Sequence, residues 1–105
     1  MVNVTGKWAL VTGASRGIGY LAAKCLAEQG CSLILHSCDR KHTEKILAEV
    51  QAMGVEAYAV AAELADLEQV QKMLDEIDRA GTQVDIVMNN AGLQVGYRTE
   101  YFNTP

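Results

Sequence analysis

Hydrophobic and polar positions along the chain form one repeated unit, a short apolar run followed by a longer segment with helical periodicity. The apolar runs predict β-strands at about 7–12, 31–36, 57–61 and 84–88. Apolar residues spaced three and four apart predict an amphipathic helix at about 17–29 and two more helices in the gaps that follow. The positions expected to face the core are Ile18, Leu21, Ala22, Cys25 and Leu26 in the first helix, Ile46, Leu47, Val50 and Met53 in the second, and Leu67, Val70, Met73, Leu74 and Ile77 in the third.

The order of these elements predicts the fold class. Strands that alternate with helices through short loops indicate right-handed crossovers and a parallel sheet. Four strands and three helices amount to about half of a doubly wound, Rossmann-type α/β fold, for which we expect the strand order 3-2-1-4. Glycines are expected to end the three helices, at Gly30, Gly54 and Gly81. Asp66 is expected to cap the start of the third, with Gln69 as its partner in a capping-box-like pair.

A single domain is expected over residues 1–105, because no interior proline and no polar linker divides the chain. Thr104 and Pro105 have the residue types that begin a helix, a threonine N-cap followed by proline. No helix follows them in the sequence, so we expect the domain to be truncated at its C-terminus.

Composition and charge exclude several classes of function. The net charge is −4 and the lysines are scattered, so no basic patch for a nucleic acid is expected. No apolar run is long enough for a bilayer and no signal peptide is visible, so we expect no membrane partner. The three cysteines, Cys25, Cys31 and Cys38, form no C-x-x-C pair, which favours a reducing, cytoplasmic location, with Cys25 and Cys31 buried. His36 and His42 have no metal-ligand spacing, and His36 is expected in the core or in a loop at the strand end.

A glycine-rich segment between the first strand and the first helix carries the candidate chemistry. It runs from Thr12 to Gly19 and also contains Gly13 and Gly17. Glycine adopts positive φ and carries no Cβ, so the backbone of such a turn can come close to a ligand. The helix that begins there adds N–H groups and the positive end of its dipole, equivalent to about half a charge. The segment therefore predicts a site for the pyrophosphate of a dinucleotide.

Two motifs make the chain resemble the classical short-chain dehydrogenase/reductase family. The first has that family's T-G-x-x-x-G-x-G spacing, at Thr12, Gly13, Gly17 and Gly19, and the second is Asn89-Asn90-Ala91-Gly92 after the fourth strand. The resemblance covers nearly the whole chain but only the N-terminal, cofactor-binding half of the family's proteins. It implies an oxidoreductase that transfers a hydride between a nicotinamide and an alcohol or ketone.

The same resemblance implies that the catalytic residues are missing. In the family, the catalytic serine, tyrosine and lysine lie beyond the Asn-Asn-Ala-Gly motif, so we expect the 105-residue chain to have no catalytic residue and no activity alone. Tyr20 and Lys24 match the family's Y-x-x-x-K spacing but lie in the first helix. We expect them on the helix surface that faces away from the sheet, and we exclude them as the catalytic pair.

The resemblance also implies which residues hold the cofactor. The residues expected around the pyrophosphate are Gly13, Ala14, Ser15, Arg16, Gly17, Ile18 and Gly19. Glu63, followed by Leu64, is expected at the adenine, with a solvent-exposed carboxylate as the alternative. Asn90, with Ala91 and Gly92, is expected beside the adenosine ribose. The alternative for both asparagines of the motif is that they only tie the sheet to its loops.

The ribose 2′ position decides between NADP(H) and NAD(H). By the family's spacing, this position falls at Ser37 and Cys38, at the end of the second strand. A serine there does not repel a 2′-phosphate as an aspartate would, and Arg16 can bind a phosphate through two N–H groups. Asp39 could instead accept from a ribose hydroxyl, with Arg40 offsetting its charge. We expect NADP(H) to be favoured over NAD(H).

Two other functions are weighed against this one. The first is a non-catalytic dinucleotide-binding module that acts through a partner and forms an oligomer over the edge of the fourth strand. The second is a nucleotide binder of another class, such as a methyltransferase, and the glycine spacing and the Asn-Asn-Ala-Gly motif argue against it. For the oxidoreductase, the expected partner is a small-molecule substrate with an alcohol or ketone group, and sugar alcohols, steroids, acyl-carrier thioesters and small ketones all remain open; a homo-oligomer is an open expectation as well.

Overall fold

The computed structural model describes residues 4–90, in which four strands, three α-helices and one short 3₁₀ turn follow the predicted alternation. The strands are β1 (Trp8–Thr12), β2 (Ser32–Ser37), β3 (Ala57–Ala61) and β4 (Ile86–Asn89). The helices are α1 (Gly17–Glu28), α2 (Glu44–Ala52) and α3 (Leu67–Arg79), and the 3₁₀ turn is Arg40–Thr43. None of the helices in this range has the length and apolar content to cross a membrane.

All four strands pair in parallel, in the order β3-β2-β1-β4. The predicted fold class and strand order are therefore confirmed. β1 pairs with β2 on one side and with β4 on the other, so the sheet grows in opposite directions from β1. In sheets of this kind, the crevice outside the carboxyl ends of the strands at that reversal is where ligands bind.

Helices cover both faces of the sheet. On one face, α1 and α2 pack over alternate residues of β1 and β2: Ala9, Val11, Leu33 and Leu35. On the opposite face, α3 packs over the intervening residues and over β3: Leu10, Ile34 and Val60. Because both faces are covered, β1 and β2 appear in the sequence as continuous apolar runs instead of alternating ones.

Glycines end the helices as predicted, and all three have positive φ, at 86°, 95° and 73° for Gly30, Gly54 and Gly81. At the end of α1, the Gly30 N–H donates to the Ala27 carbonyl at 2.9 Å. The Cys31 N–H donates to the Leu26 carbonyl at 3.1 Å. These two hydrogen bonds form a Schellman motif, which satisfies the last carbonyls of the helix and turns the chain into β2.

The buried face of α1 differs from the prediction. Ile18 and Leu21 are 72% and 66% exposed, and Cys25 is exposed as well. The buried residues of α1 are instead three small ones: Gly19, Ala23 and Ala27. They are spaced four apart and so form a face of their own. The predicted core residue Leu26 is half-buried and packs against the core, but at Gly19 the close approach of α1 to the Gly13 carbonyl leaves no room for a side chain.

The other helices are partly as predicted. The predicted core residues that are buried are Ile46, Val50, Met73 and Ile77. The predicted core residues that are exposed are Met53, Leu67 and Leu74. Met53 follows the last residue of α2 and Leu67 is the first residue of α3, so both lie at helix ends, where a side chain need not lie over the sheet.

Cys31 is buried, as predicted, next to the first residue of β2. Its burial raises the pKa of the thiol, and the carboxylate of Asp85 adds to that shift. Cys25 and Cys38 are both exposed, so the prediction that Cys25 is buried is wrong.

Candidate functional site

A pocket of about 400 Å³ opens at the carboxyl edge of the sheet, beside the ends of β1 and β2. Its lining comes from the turn after β1 and from the segment around the end of β2: Gly13, Ser15, Arg16, His36, Ser37, Cys38 and His42. The structure therefore brings together the two segments that the sequence assigns to the phosphates and to the ribose 2′ position. The two histidines are not among the site residues expected from the sequence, and no group of three or more His, Cys, Asp or Glu side chains within residues 4–90 could hold a metal ion.

The turn between β1 and α1, residues 13–16, is called the glycine turn below, and it leaves the start of α1 open. Gly13 and Gly17 have φ of 63° and 65°, and a Cβ added at Gly17 would meet no atom within 4 Å. Arg16, the N-cap residue, has an extended backbone and makes no side-chain hydrogen bond to the helix, and the first turn has no acidic residue. The first N–H groups of a helix have no partner within the helix, so this end presents donors and the positive end of the dipole. The arrangement is suited to an anion.

Gly19 is needed for a different reason, a close approach of two backbone segments. A Cβ at this position would lie 2.2 Å from the Gly13 carbonyl oxygen and 2.8 Å from Asn90 Nδ2. No larger residue fits without a shift of the backbone. The two glycines at the start of α1 therefore serve separate purposes. Gly17 leaves an open surface, and Gly19 allows tight packing.

His36 holds the glycine turn from the side of β2. Its Nδ1 accepts from the Gly13 N–H at 3.1 Å, and its main-chain carbonyl accepts from the Ala14 N–H at 2.8 Å. Its Nε2 lies 2.9 Å from the Ala62 carbonyl oxygen, just after β3, and donates to it, since Nδ1 is already an acceptor. The side chain is 2% exposed, so the expectation of a buried strand-end histidine is confirmed. Its contact with Gly13 joins residues 23 apart and follows from the strand pairing, so no local sequence signal could have identified it.

The two asparagines of the second motif tie β4 to β1 and to the glycine turn. Asn90 Nδ2 donates to the Gly13 carbonyl oxygen at 3.3 Å, and Thr12 Oγ1 donates to Asn89 Oδ1 at 3.2 Å. Asn90 is 6% exposed. The structure thus provides the sheet-to-loop tie that is the alternative reading of these residues, and the ribose contact of Asn90 stays a prediction. Ala91 and Gly92 lie outside the described residues.

The segment after β2 is held by its own side chains. The Ser37 hydroxyl donates to the Asp39 carbonyl oxygen, and Ser37 is 4% exposed. The Asp39 carboxylate accepts from the Lys41 N–H at 3.0 Å and caps the 3₁₀ turn. Arg40 Nη2 lies 3.0 and 2.8 Å from the two carboxylate oxygens of Glu76 on α3. The Arg40 guanidinium is therefore paired with Glu76 on α3 and not with the neighbouring Asp39.

Glu63, the predicted adenine contact, is exposed in the loop between β3 and α3. Its Oε1 accepts from the Ala65 N–H at 3.3 Å, and its own N–H donates to Gln69 Oε1 at 2.8 Å. Asp66 caps α3 as predicted, by accepting from the N–H groups of Glu68 and Gln69. Gln69 is its partner as predicted, since Gln69 Nε2 donates to Asp66 Oδ2 at 3.2 Å, although the Asp66 N–H donates to the Glu63 carbonyl and not to Gln69 as in a full capping box. Leu64 is half-buried against the core on the α3 face, and neither residue lines the pocket.

Tyr20 is half-buried between α1 and α2, so the expectation that it lies on a surface facing away from the sheet is wrong. Its hydroxyl donates to the Glu49 carboxylate, and Lys24 Nζ lies 4.0 Å from the same carboxylate. The hydrogen bond to Glu49, followed by burial and by the negative charge of Glu49, raises the pKa of Tyr20. An acid/base tyrosine at neutral pH needs the opposite shift, which agrees with the exclusion of Tyr20 and Lys24 as a catalytic pair.

Comparison with known proteins identifies relatives for most of the chain. The family model described as short chain dehydrogenase matches residues 7–104. A 3-oxoacyl-acyl-carrier-protein reductase, FabG, of Staphylococcus aureus is 40% identical over 88 residues, 83% of this chain and 36% of that protein. Versicolorin reductase 1 of Aspergillus parasiticus is 39% identical over 92 residues, 87% of this chain and 35% of that protein. The chain spans about a third of the length of these relatives.

Solved structures with the same arrangement include proteins with either cofactor. An NAD⁺-bound xylitol dehydrogenase superimposes with a TM-score of 0.81 at 36% identity, over 89% of this chain and 36% of that one. A metagenomic short-chain oxidoreductase in complex with NADP gives a TM-score of 0.80 at 32% identity, over 88% of this chain and 42% of that one. The strand order, the glycine turn and these matches lead to one conclusion: the chain belongs to the short-chain dehydrogenase family.

Proposed function

We propose that the chain binds NADP(H) in the pocket between the glycine turn and the end of β2. It would form the cofactor-binding part of an oxidoreductase that acts on a small alcohol or ketone. The observation that carries this proposal is the uncapped start of α1 beside Gly13 and Gly17, where no described atom lies within 4 Å of a Cβ added at Gly17 and the first turn has no acidic residue. When bound, the cofactor supplies or accepts the hydride.

In the proposed site, the glycine turn and the start of α1 contribute different things to the binding of the pyrophosphate. The N–H groups of Gly13 and Ala14 are bonded to His36, so these residues contribute the shape of the turn and not hydrogen-bond donors. The donors for the pyrophosphate are the N–H groups at the start of α1, where Gly17, Ile18 and Gly19 form the first turn. Ser15 and Arg16 line the pocket beside them.

The proposed preference for NADP(H) rests on the residues that line the pocket at the end of β2. Arg16 and Cys38 are both exposed there, and none of the lining residues within the described range 4–90 is acidic. The Asp39 carboxylate, the alternative acceptor for a ribose hydroxyl, is bonded to the Lys41 N–H. Since Arg40 is paired with Glu76, Arg16 is the arginine that lines the pocket within residues 4–90 and that could bind a 2′-phosphate.

An Arg16→Ala variant tests this preference. We expect its dissociation constant for NADP⁺ to rise about tenfold, because a charge-assisted hydrogen bond is lost, and that for NAD⁺ to change less than about twofold. Titration of the purified chain with both dinucleotides, followed by calorimetry, measures this. A Lys72→Ala variant, which removes the same charge from α3, is the matched control and should leave both constants unchanged.

Two outcomes would contradict the proposal at different levels. Equal weakening of NADP⁺ and NAD⁺ by Arg16→Ala would overturn the preference but leave the dinucleotide site intact. A wild-type chain that binds neither dinucleotide would overturn the site itself.

We further propose that the 105-residue chain binds without turning over any alcohol or ketone, because its only match to the family's catalytic Y-x-x-x-K spacing is Tyr20 and Lys24, which lie in α1 and contact Glu49 of α2. Hydride transfer by this chain with added cofactor would contradict that.

A further inference from the structure

We propose that His36 is a positioning residue for cofactor binding, which holds the glycine turn in the shape that presents the start of α1 to the phosphates. This inference rests on the proposed function. It assigns His36 a role in the neutral form, with the proton on Nε2, because Nδ1 has to accept from a backbone N–H.

The His36 side chain spans the carboxyl edge of three strands. It begins in β2, accepts from Gly13 after β1 and donates to Ala62 after β3, with donor–acceptor distances of 3.1 and 2.9 Å. His36 is 2% exposed, the bond to Ala62 is buried and the bond to Gly13 is partly buried. Breaking a hydrogen bond costs more where its partner is kept from water, so these two bonds restrict the position of the imidazole ring and of the Gly13 peptide.

The Gly13 peptide is the part of the turn that this bond controls. Its N–H is held by His36 and its carbonyl oxygen is held by Asn90 from the opposite side. The same carbonyl oxygen is the atom against which Gly19 packs. A rotation of the Gly13 peptide would therefore displace the first turn of α1, whose N–H groups are the proposed phosphate donors.

Two substitutions separate positioning from ordinary stabilisation. In His36→Asn, Oδ1 stands near the position of Nδ1 and can accept from the Gly13 N–H, but the side chain is too short to reach Ala62. In His36→Gln, Nε2 can reach the Ala62 carbonyl, but no acceptor faces Gly13. The two variants thus keep one bond each, one to the turn and one to the end of β3.

The test measures affinity for NADP⁺ and NAD⁺, the urea midpoint of unfolding, and the exchange rate of the Gly13 amide proton. We expect His36→Gln to bind both dinucleotides about tenfold more weakly, with faster Gly13 exchange, because the bond to the turn is lost. We expect His36→Asn to unfold at lower urea but to keep both affinities within about threefold. Ile46→Val, a fully buried change on α2, is the control that lowers stability without altering affinity.

The outcomes distinguish the two proposals. Binding by His36→Gln that equals wild type, or losses in both histidine variants that follow their loss of stability, would overturn the positioning role. If His36→Gln does not fold, a wild-type affinity in His36→Asn still supports the role and a tenfold loss overturns it. A wild-type chain that binds neither dinucleotide would overturn the proposed function, and the Gly13 exchange rates would then decide alone whether His36 holds the turn.

Discussion

Two segments border the pocket, and they are held in opposite ways. The glycine turn, residues 13–16, is held by hydrogen bonds from His36 and Asn90, residues on other elements far away in the sequence, and its packing depends on the absence of a side chain at Gly19. The segment from the end of β2, residues 37–43, is held mainly by hydrogen bonds of its own side chains to its own backbone.

This difference indicates which part of the proposed site is fixed by the backbone and which part can change from one protein to another by substitution of side chains. The backbone at Gly13, Ala14 and Gly19 fixes the position of the N–H groups at the start of α1, which suit any dinucleotide phosphate, and a substitution at Gly19 costs stability. Exposed side chains at the pocket, such as those of Arg16 and Cys38, can be exchanged at little cost and can select one cofactor over another. The proposed site therefore has a fixed half, the backbone of the glycine turn and of Gly19, for the phosphates. It also has an adjustable half, the Arg16 side chain and the segment 37–43, for the ribose.

Gly19→Ala should have the largest effect and tests the rigidity of the fixed half. The added Cβ would lie 2.2 Å from the Gly13 carbonyl oxygen, so we expect a loss of about 3 kcal/mol or more in the free energy of unfolding. Urea denaturation measures it. Gly54→Ala is the control: its φ is 95° but no atom lies within 4 Å, so the cost should be only about 1 kcal/mol of backbone strain. Similar losses in the two variants would show that the turn is not tightly packed.

Asp39→Asn should have an intermediate effect and tests the adjustable half. Asparagine also caps helices, so the bond to the Lys41 N–H is retained while the negative charge is removed. We expect affinity for NADP⁺ to rise about fivefold at low salt, since about 1 kcal/mol of repulsion at contact distance in water is removed. Affinity for NAD⁺ should change little, and the gain should shrink at high salt. Unchanged NADP⁺ affinity would place the 2′-phosphate away from this segment.

Removal of the Arg40–Glu76 ion pair should have the smallest effect. The two side chains are 59% and 40% exposed, so the pair contributes only about 0.2–1 kcal/mol to stability. A double-mutant cycle with Arg40→Gln and Glu76→Gln measures this coupling, which should fall as salt is added. A coupling above 2 kcal/mol, or a loss of dinucleotide affinity in either single variant, would mean that the adjustable half depends on α3 as strongly as the fixed half depends on His36.

The fold could be predicted from the sequence because each element carries a local signal. β3 begins and ends at the predicted residues, Asp66 caps α3, and glycines end all three helices. The parallel order follows from the alternation of strands and helices, since the handed crossover leaves few arrangements. The candidate site could be outlined for the same reason, because a glycine turn after a strand has a recognisable spacing.

Burial within the helices could not be predicted in the same way. The sequence favours Ile18 and Leu21 as the buried residues of α1, because they are large and correctly spaced, yet both are exposed. Which face of a helix is buried depends on the distance between that helix and the sheet. At α1 this distance is set by the contact of Gly19 with the Gly13 carbonyl, and only small residues fit there.

The sequence by itself determined the order of the strands, the position of the glycine turn and the family of the protein, because these depend on local residue types and spacings. Only the tertiary structure decided that His36 takes the N–H groups of Gly13 and Ala14, and that Arg40 pairs with Glu76 and not with its neighbour. These contacts join residues 22 or more positions apart, which become neighbours through strand register and helix packing. No pattern within a single segment records them, because a side chain finds its partner only after the segments have come together.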